Sequence, residues 1–395
     1  MDCQTSAEQL AGINISEYNK ELWKRSRQPL SATFEITPRC NFRCIHCYLG
    51  KHRENPRELT TAQVMHILDE LSDNGALFVT LTGGECMLRP DFPEIYMAAK
   101  RKGFMVCVFT NAYHFTPRLL DLFAQYPPFF VDISLYGASN ETYRRVTGVG
   151  DGFDVVLRNL RELKRRGIQF GIKTPIFRQN LGDYEAMCAI AEALGVKYRF
   201  SFALSPTIDK ETYPVTYMVS PETMIRMEAA DPVYREMGER YAGVENGWGR
   251  AFDEGEFVPL YICAPGVNDM FINFEGAVMP CASFRSEARS LLDHSLAEIW
   301  VEFAKFRQIP ATAGNRCMRC ESRYYCRVCP ADQLQYHGDA ESTEPSICAH
   351  AHARCRLFRH HLPMEEVLRL MRLELGEGAS PDASKTEDSG KEERT

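Results

Sequence analysis

Cys40, Cys44 and Cys47 stand in the run Thr37-Pro38-Arg39-Cys40-Asn41-Phe42-Arg43-Cys44-Ile45-His46-Cys47-Tyr48, where one short loop can aim three thiolates at a single metal centre. A 4Fe-4S cube takes one external ligand per iron. Three thiolates leave the fourth iron free to hold a group that is not protein, and an iron with an open position is reactive. A second concentration of thiols lies far downstream: Cys263, Cys281, the pair Cys317 and Cys320, the pair Cys326 and Cys329, and Cys348. Two close CxxC pairs alone suggest zinc held by four thiolates, but seven cysteines are too many for one zinc. Between the two concentrations, Thr82-Gly83-Gly84-Glu85 sets side-chain-free backbone beside a carboxylate, so that main-chain groups can approach a ligand.

The elements that must position these residues follow from apolar periodicity. Short runs rich in Val, Ile and Phe read as strands over 32–36, 77–81, 104–109, 129–135, 168–173 and 198–204, with an amphipathic helical stretch between each pair. Parallel neighbours need a crossover connection and a helix supplies it, so the alternation predicts a parallel α/β sheet. Thr60 and Gln63 have capping-box spacing ahead of Val64, Ile67, Leu68 and Leu71, an apolar stripe that should face the sheet. Gly75, Gly103, Gly167 and Gly195 each stand where a left-handed residue can end a helix before the next strand. Periodicity does not decide between an open doubly wound sheet and a partial barrel.

The cysteine loop, just past a predicted strand, resembles the cluster loop of the radical S-adenosylmethionine (radical SAM) enzymes. That resemblance implies a partial (β/α)6 TIM-like barrel with the cluster at the C-terminal ends of the strands, followed by a small cysteine-rich α+β domain. It implies that the open iron chelates SAM and that reduction splits the sulfonium to a 5'-deoxyadenosyl radical. Gly83, Gly84 and Glu85 resemble the family's GGE motif, which binds the SAM amino group. Thr110 and Asn111, Ser134 and Lys173, at the ends of the third, fourth and fifth strands, look like its polar ligands for ribose and carboxylate.

The downstream thiols resemble the SPASM extension of that family, which carries two auxiliary 4Fe-4S clusters. By position, Cys317, Cys320, Cys326 and Cys348 would hold the outer cluster and Cys263, Cys281 and Cys329 the inner one, with Gly276 ahead of Cys281. Two departures stand out. Only Arg327 and Val328 separate Cys326 from Cys329 where the family usually has three residues, and the inner cluster lacks a fourth thiolate, for which Cys355 is a candidate beside a water, a backbone atom or the substrate. Ala282 occupies the place where anaerobic sulfatase maturases carry an aspartate base, which disfavours formylglycine formation. Cys329-Pro330-Ala331 and His350-Ala351-His352 look more like enzymes that modify ribosomally made peptides. Tyr136, Arg144, Arg145 and His337 are pocket candidates that more often read as structural or solvated side chains, and Cys86, Cys107 and Cys188 read as small core residues.

With 395 residues, 45% of them hydrophobic, the chain can bury one large or two medium cores. A net charge of −7 gives no reason to expect nucleic acid, and Arg161, Lys164, Arg165 and Arg166 read as the wet face of a helix. No apolar run spans a bilayer and the first residues lack a signal-peptide pattern, so a cytoplasmic location is expected. Fifteen cysteines in a reducing compartment then point to metal, catalysis or burial rather than disulfides. Composition predicts a connector over 211–257 and a disordered tail over 380–395, and the resemblance implies a radical SAM core over 31–210 and a SPASM-like domain over 258–361, with an N-terminal extension over 1–30 and a helix over 362–379.

The expected activity is reductive cleavage of SAM and hydrogen abstraction from a ribosomally synthesised precursor peptide, giving a thioether, a carbon-carbon crosslink or a desaturated residue. Expected partners are a separate leader-recognition protein, since residues 1–30 are too few for a fused one, and a low-potential electron donor such as flavodoxin or ferredoxin. Competing readings are modification of a small molecule or cofactor precursor, and a non-catalytic iron-sulfur redox sensor or zinc-structured interaction protein.

Overall fold

The computed structural model describes residues 28–54, 58–263, 266–326 and 328–376. Nearly all of the expected N-terminal extension, Arg327 and the expected tail over 380–395 lie outside them. The chain forms two compact units. The first takes in the described residues up to Met218 with Pro259–Ala311 and Pro330–Ala340; the second takes in Val219–Val258, Thr312–Cys329 and the described residues from Glu341 onward.

In the first unit six strands, β1 (Ser31–Glu35), β2 (Phe78–Thr82), β3 (Met105–Thr110), β4 (Phe130–Ser134), β5 (Phe170–Pro175) and β6 (Tyr198–Ser201), lie side by side in chain order, all parallel. Helices make each crossover: α1 (Thr61–Asp73), α2 (Phe92–Arg101), α3 (Pro117–Gln125), the pair α4 (Asn140–Thr147) and α5 (Gly152–Arg165), and α6 (Tyr184–Leu194). The result is the open partial barrel that the resemblance implied, with all six strands close to their expected places. Two helices, not one, join β4 to β5. Gly148 ends α4 in the left-handed region at φ 76°, and a fresh helix starts four residues on.

The local signals read from sequence are realised physically. The Thr60–Gln63 box closes both ways, with the Thr60 hydroxyl accepting from Gln63 N at 3.3 Å and Gln63 Oε1 accepting from Thr60 N at 2.9 Å. Val64, Ile67, Leu68 and Leu71 are the buried face of α1. Gly75, Gly103, Gly167 and Gly195 all have φ between 61° and 85°. Inside the sheet Val79, Leu81, Val106, Val108, Val131 and Ile133 are fully buried.

A further strand, β7 (Asp269–Ile272), pairs parallel to β1 on its other side, with Ser31 opposite Asp269, and β8 (Ala277–Met279) and β9 (Arg289–Ser290) follow antiparallel. Strands of four, three and two residues are too short to show a period in sequence.

The second unit is helical. The helix expected from Pro221 to Ala230 is present, and Asp231 ends it while its carboxylate caps the next helix, Pro232–Arg240, at the N–H groups of Val233 and Tyr234. The stretch expected as a connector is therefore structured. Ile225 joins Tyr325, Ala349, Ala353, Phe358, Val367, Leu368 and Met371 in one apolar cluster, which draws 219–258 into the second unit. The compact units accordingly cut across the expected boundary at residue 258: Pro259–Ala311 sits with the barrel and Thr312–Cys329 does not. Among the described residues, no helix is long and apolar enough to cross a membrane.

Candidate metal centre

The cysteine loop leaves the C-terminal end of β1 and is stitched to the rest of the barrel at both ends. Gly84 N donates to the Thr37 carbonyl at 2.8 Å and Glu85 N to the Arg39 carbonyl at 2.7 Å. A Cβ on Gly83 would run into the Thr37 carbonyl, and one on Gly84 into those of Pro38 and Arg39, so only glycine allows β2 to lie this close to the loop. At the other end Arg43 N and Ile45 N donate to the carbonyls of Thr147 and Val146 at 2.8 and 3.0 Å. Inside the loop, Cys47 N meets the Cys44 carbonyl at 3.2 Å.

Three thiols are thereby buried together. Burial pushes the Cys40 thiol up to about 12, with Glu85 and Cys47 adding to the rise. Burial likewise raises Cys44 and Cys47, and the charges of Cys47 and Cys40 act on Cys44 in turn. Thiols whose ionisation burial opposes in this way become thiolates when a soft cation neutralises them. The donor set fits an iron-sulfur cluster. Phe42 N, 3.4 Å from Cys40 Sγ, would support the thiolate, and Asn111 Nδ2 lies 3.8 Å from the same sulfur.

A cavity of about 450 Å³ opens beside the loop, lined by Cys44 and Cys47 together with Gly83, Gly84, Thr110, Asn111, Ser134 and Lys173. Sequence reasoning named all of these. Glu85 differs from its neighbours. It is 1% exposed, and its carboxylate already accepts from Thr110 Oγ1 at 3.0 Å, Asn111 N at 2.8 Å and Met87 N at 3.2 Å, tying the end of β2 to the end of β3. Lys173 also has partners, with its Nζ 3.5 Å from Asp132 and 3.3 Å from the centroid of the Phe109 ring. Burial lowers its pKa and the Asp132 carboxylate works against that fall.

Other lining residues had no legible signal. His46 sits between the rings of Tyr136 and Phe177 at 5.2 and 4.7 Å, and burial together with the Arg53 charge pulls its pKa down to about 3. The imidazole is thus neutral, and its Nδ1 finds no hydrogen-bond partner among the described residues. Tyr136, by contrast a pocket candidate in the sequence, lines the cavity. So do Arg285 and Gln335, more than 200 residues along the chain from the loop, whose place at the cavity only the tertiary fold decides. Arg285 stands 5.6 Å from the centroids of both the Tyr48 and Phe271 rings, and the Tyr48 hydroxyl donates to the fully buried Glu35.

Of the downstream thiols, Cys263 and Cys281 lie in the first unit, where burial, with the charge of Cys263 adding, pushes Cys281 up to about 11. Cys329 belongs to the second unit. Cys317, Cys320, Cys326 and Cys348 lie in the second unit, where burial raises the Cys348 pKa and the charges of Cys326, Cys317 and Cys320 add to the rise. Cys320 is the exception in sign, since His352 Nε2, 3.8 Å from its sulfur, lowers its pKa, while His352 Nδ1 meets Glu374 at 3.2 Å. Cys355, the candidate fourth inner ligand, lies in this unit, where burial raises its pKa, a hydrogen bond with Ser322 opposes the rise and the Glu321 carboxylate adds to it.

Residues 34–190 match the radical SAM superfamily, and residues 263–330 match the SPASM iron-sulfur cluster-binding domain. The chain is a radical SAM enzyme with a SPASM domain. This radical SAM enzyme is 26% identical to an AdoMet-dependent heme synthase of Methanosarcina barkeri over 80% of its own length and 95% of that protein's. It is 27% identical to the mycofactocin maturase MftC of Mycobacterium tuberculosis over 85% of its own length and 87% of that protein's. Its fold is similar to that of Streptococcus suis SuiB bound to precursor peptide SuiA, with a TM-score of 0.64 at 16% identity, covering 85% of this chain and 80% of that one. It is also similar to anSMEcpe with bound AdoMet, with a TM-score of 0.61 at 13% identity over 87% and 99% of the two chains. The SPASM match takes in Cys263 through Cys329 and ends before Cys348.

Proposed function

We propose that the Cys40, Cys44 and Cys47 thiolates hold a SAM-binding 4Fe-4S cluster, and that the enzyme abstracts hydrogen from a peptide to install a post-translational modification. The observation that carries this is the single cavity shared by Cys44, Cys47, Gly83, Gly84, Asn111, Ser134 and Lys173. When bound, the cluster and SAM supply a low-potential electron and a sulfonium whose reductive cleavage gives a 5'-deoxyadenosyl radical. The chain's own residues orient and enclose. Lys173 offers a cation to the SAM carboxylate, Ser134 and Asn111 offer hydrogen bonds, and Tyr136, Phe109 and Phe271 present apolar walls that keep water from a radical.

Cys317, Cys320, Cys326 and Cys348 would hold the outer auxiliary cluster, and Cys263, Cys281 and Cys329 the inner one, for electron uptake or substrate binding. The peptide reading is supported by the likeness to the mycofactocin maturase over 359 aligned residues. The likeness to heme synthases over 333 residues supports a second reading, a tetrapyrrole-type small molecule. A cytoplasmic setting, a flavodoxin or ferredoxin donor and a separate leader-binding protein complete the proposal.

The test is anaerobic reconstitution with iron and sulfide, metal analysis, and assay for 5'-deoxyadenosine with SAM and reductant. Three clusters predict about 12 irons per chain. Full iron loading with no 5'-deoxyadenosine would overturn the reading. A precursor peptide encoded nearby and an iron-coproporphyrin, each added separately, distinguish the two substrate classes by which one is consumed.

A further inference from the structure

Among the described residues, one group of metal-ligating side chains sets a cluster-candidate thiol beside an imidazole and a carboxylate. Glu321, Cys355 and His360 bring a carboxylate oxygen, a thiol sulfur and an imidazole nitrogen within 4.8 Å of one another. All three belong to the second unit. We propose that they form a binding site for one zinc ion, which assigns Cys355 to zinc instead of to the inner iron-sulfur cluster.

The backbone is shaped to bring two of the three together. The helix Pro345–Arg354 runs directly into a π-helical turn, Cys355–Arg359, closed by His360 N donating to the Cys355 carbonyl at 3.2 Å. In an ordinary α-helix, residues five apart point about 140° away from each other. The wider turn instead brings His360 round beside Cys355, and such turns concentrate at functional sites. His361 follows at φ 53°, a left-handed conformation that costs a non-glycine residue energy and that the surroundings must hold in place. Glu321 arrives from the loop after Cys320, and its Oε1 lies 2.8 Å from His360 Nε2.

A surface ion pair explains part of this arrangement and no more. Glu321 and His360 are 60% and 43% exposed, as such a pair would be, but Cys355 is 2% exposed and has no place in an ion pair. A buried thiol, an imidazole and a carboxylate at one point are the mixed, borderline-soft donors that zinc takes in tetrahedral geometry. Zinc bonds of about 2.0–2.3 Å put tetrahedral donors roughly 3.3–3.8 Å apart. The 2.8 Å between Glu321 and His360 and the 4.8 Å that bounds all three donor atoms lie on either side of that spacing. Three protein ligands leave a fourth position for water.

The test uses full-length protein reconstituted anaerobically with iron and sulfide, equilibrated with zinc sulfate and then desalted against a weak chelator. Zinc and iron are counted by mass spectrometry for the wild type, Glu321→Gln, His360→Asn and Cys355→Ser. The expected result is one zinc per chain in the wild type, reduced at least about tenfold in His360→Asn and Cys355→Ser with iron unchanged. His360→Asn and Glu321→Gln alter exposed side chains, so loss of zinc there with an unchanged circular dichroism spectrum is not a folding defect. Either of two results would overturn the proposal: no zinc above the buffer blank in the wild type, or zinc retained by His360→Asn. The outcome does not depend on whether the enzyme cleaves SAM.

Discussion

Gly84 donates its main-chain N–H to the carbonyl of Thr37 at 2.8 Å, and this contact fastens the end of β2 to the start of the cysteine loop. A methyl group on Gly84 would meet the carbonyls of Pro38 and Arg39. The substitution Gly84→Ala must push the loop away from the strand, and forced repacking of that kind costs about 1–3 kcal/mol even before hydrogen bonds are lost. Cys40, Cys44 and Cys47 should then fail to converge. Gly84→Ala is expected to lose about four of about twelve irons per chain and all 5'-deoxyadenosine formation while the auxiliary iron stays, as iron analysis of purified protein will show.

Glu228 and Arg354 form a buried ion pair in the second unit. Arg354 Nε meets the carboxylate at 2.7 Å, His350 Nε2 meets it at 3.0 Å, and Arg354 Nη1 reaches the Tyr325 carbonyl at 2.9 Å, one residue before Cys326. Glu228→Gln strands a buried guanidinium and should cost about 3 kcal/mol in urea unfolding at neutral pH. These bonds to Arg354 and His350 hold the Glu228 carboxyl at about 2, below its ordinary 4.5, despite its burial. A depressed carboxylate stabilises fully above the unfolded value and loses that contribution as pH falls through the folded one. The gap between wild type and Glu228→Gln should therefore be full above about pH 4.5 and shrink toward pH 2.

Lys173 depends on Asp132 for its charge. Burial lowers the lysine pKa, and the carboxylate 3.5 Å away opposes that fall. In Asp132→Asn the pKa falls further. If Lys173 binds the SAM carboxylate as proposed, SAM affinity in this variant should decline at a lower pH than in the wild type, measured by equilibrium binding from about pH 7 to 10. Identical pH profiles for the two proteins would count against Lys173 as the anion site.

Asn159 holds the turn that follows Asn111. From α5 its Nδ2 donates to the Ala112 carbonyl at 2.8 Å and the Tyr113 carbonyl at 3.3 Å, and Ala112 itself has φ 57°. Removing these bonds with Asn159→Ala should cost about 1–2 kcal/mol in thermal unfolding. It should also weaken SAM binding several-fold, because Asn111 at the cavity rim loses its anchored neighbour. Unchanged SAM affinity in a destabilised variant would assign Asn159 to stability alone.

What the sequence by itself determined is what short range controls. The spacing of Cys40, Cys44 and Cys47, the Gly83-Gly84 pair, the strand and helix alternation and the Thr60 cap each act over a few residues, so they are written in consecutive letters. Tertiary structure decided everything that depends on distant segments meeting. It brought Arg285 and Gln335 to the cavity, spent the Glu85 carboxylate on Thr110 and Asn111, and drew 219–258 into a helical unit through Ile225 and Glu228. The reason is physical: hydrophobic burial and buried charge pairing are satisfied by whichever partner the fold delivers, and no periodicity in the chain names that partner in advance.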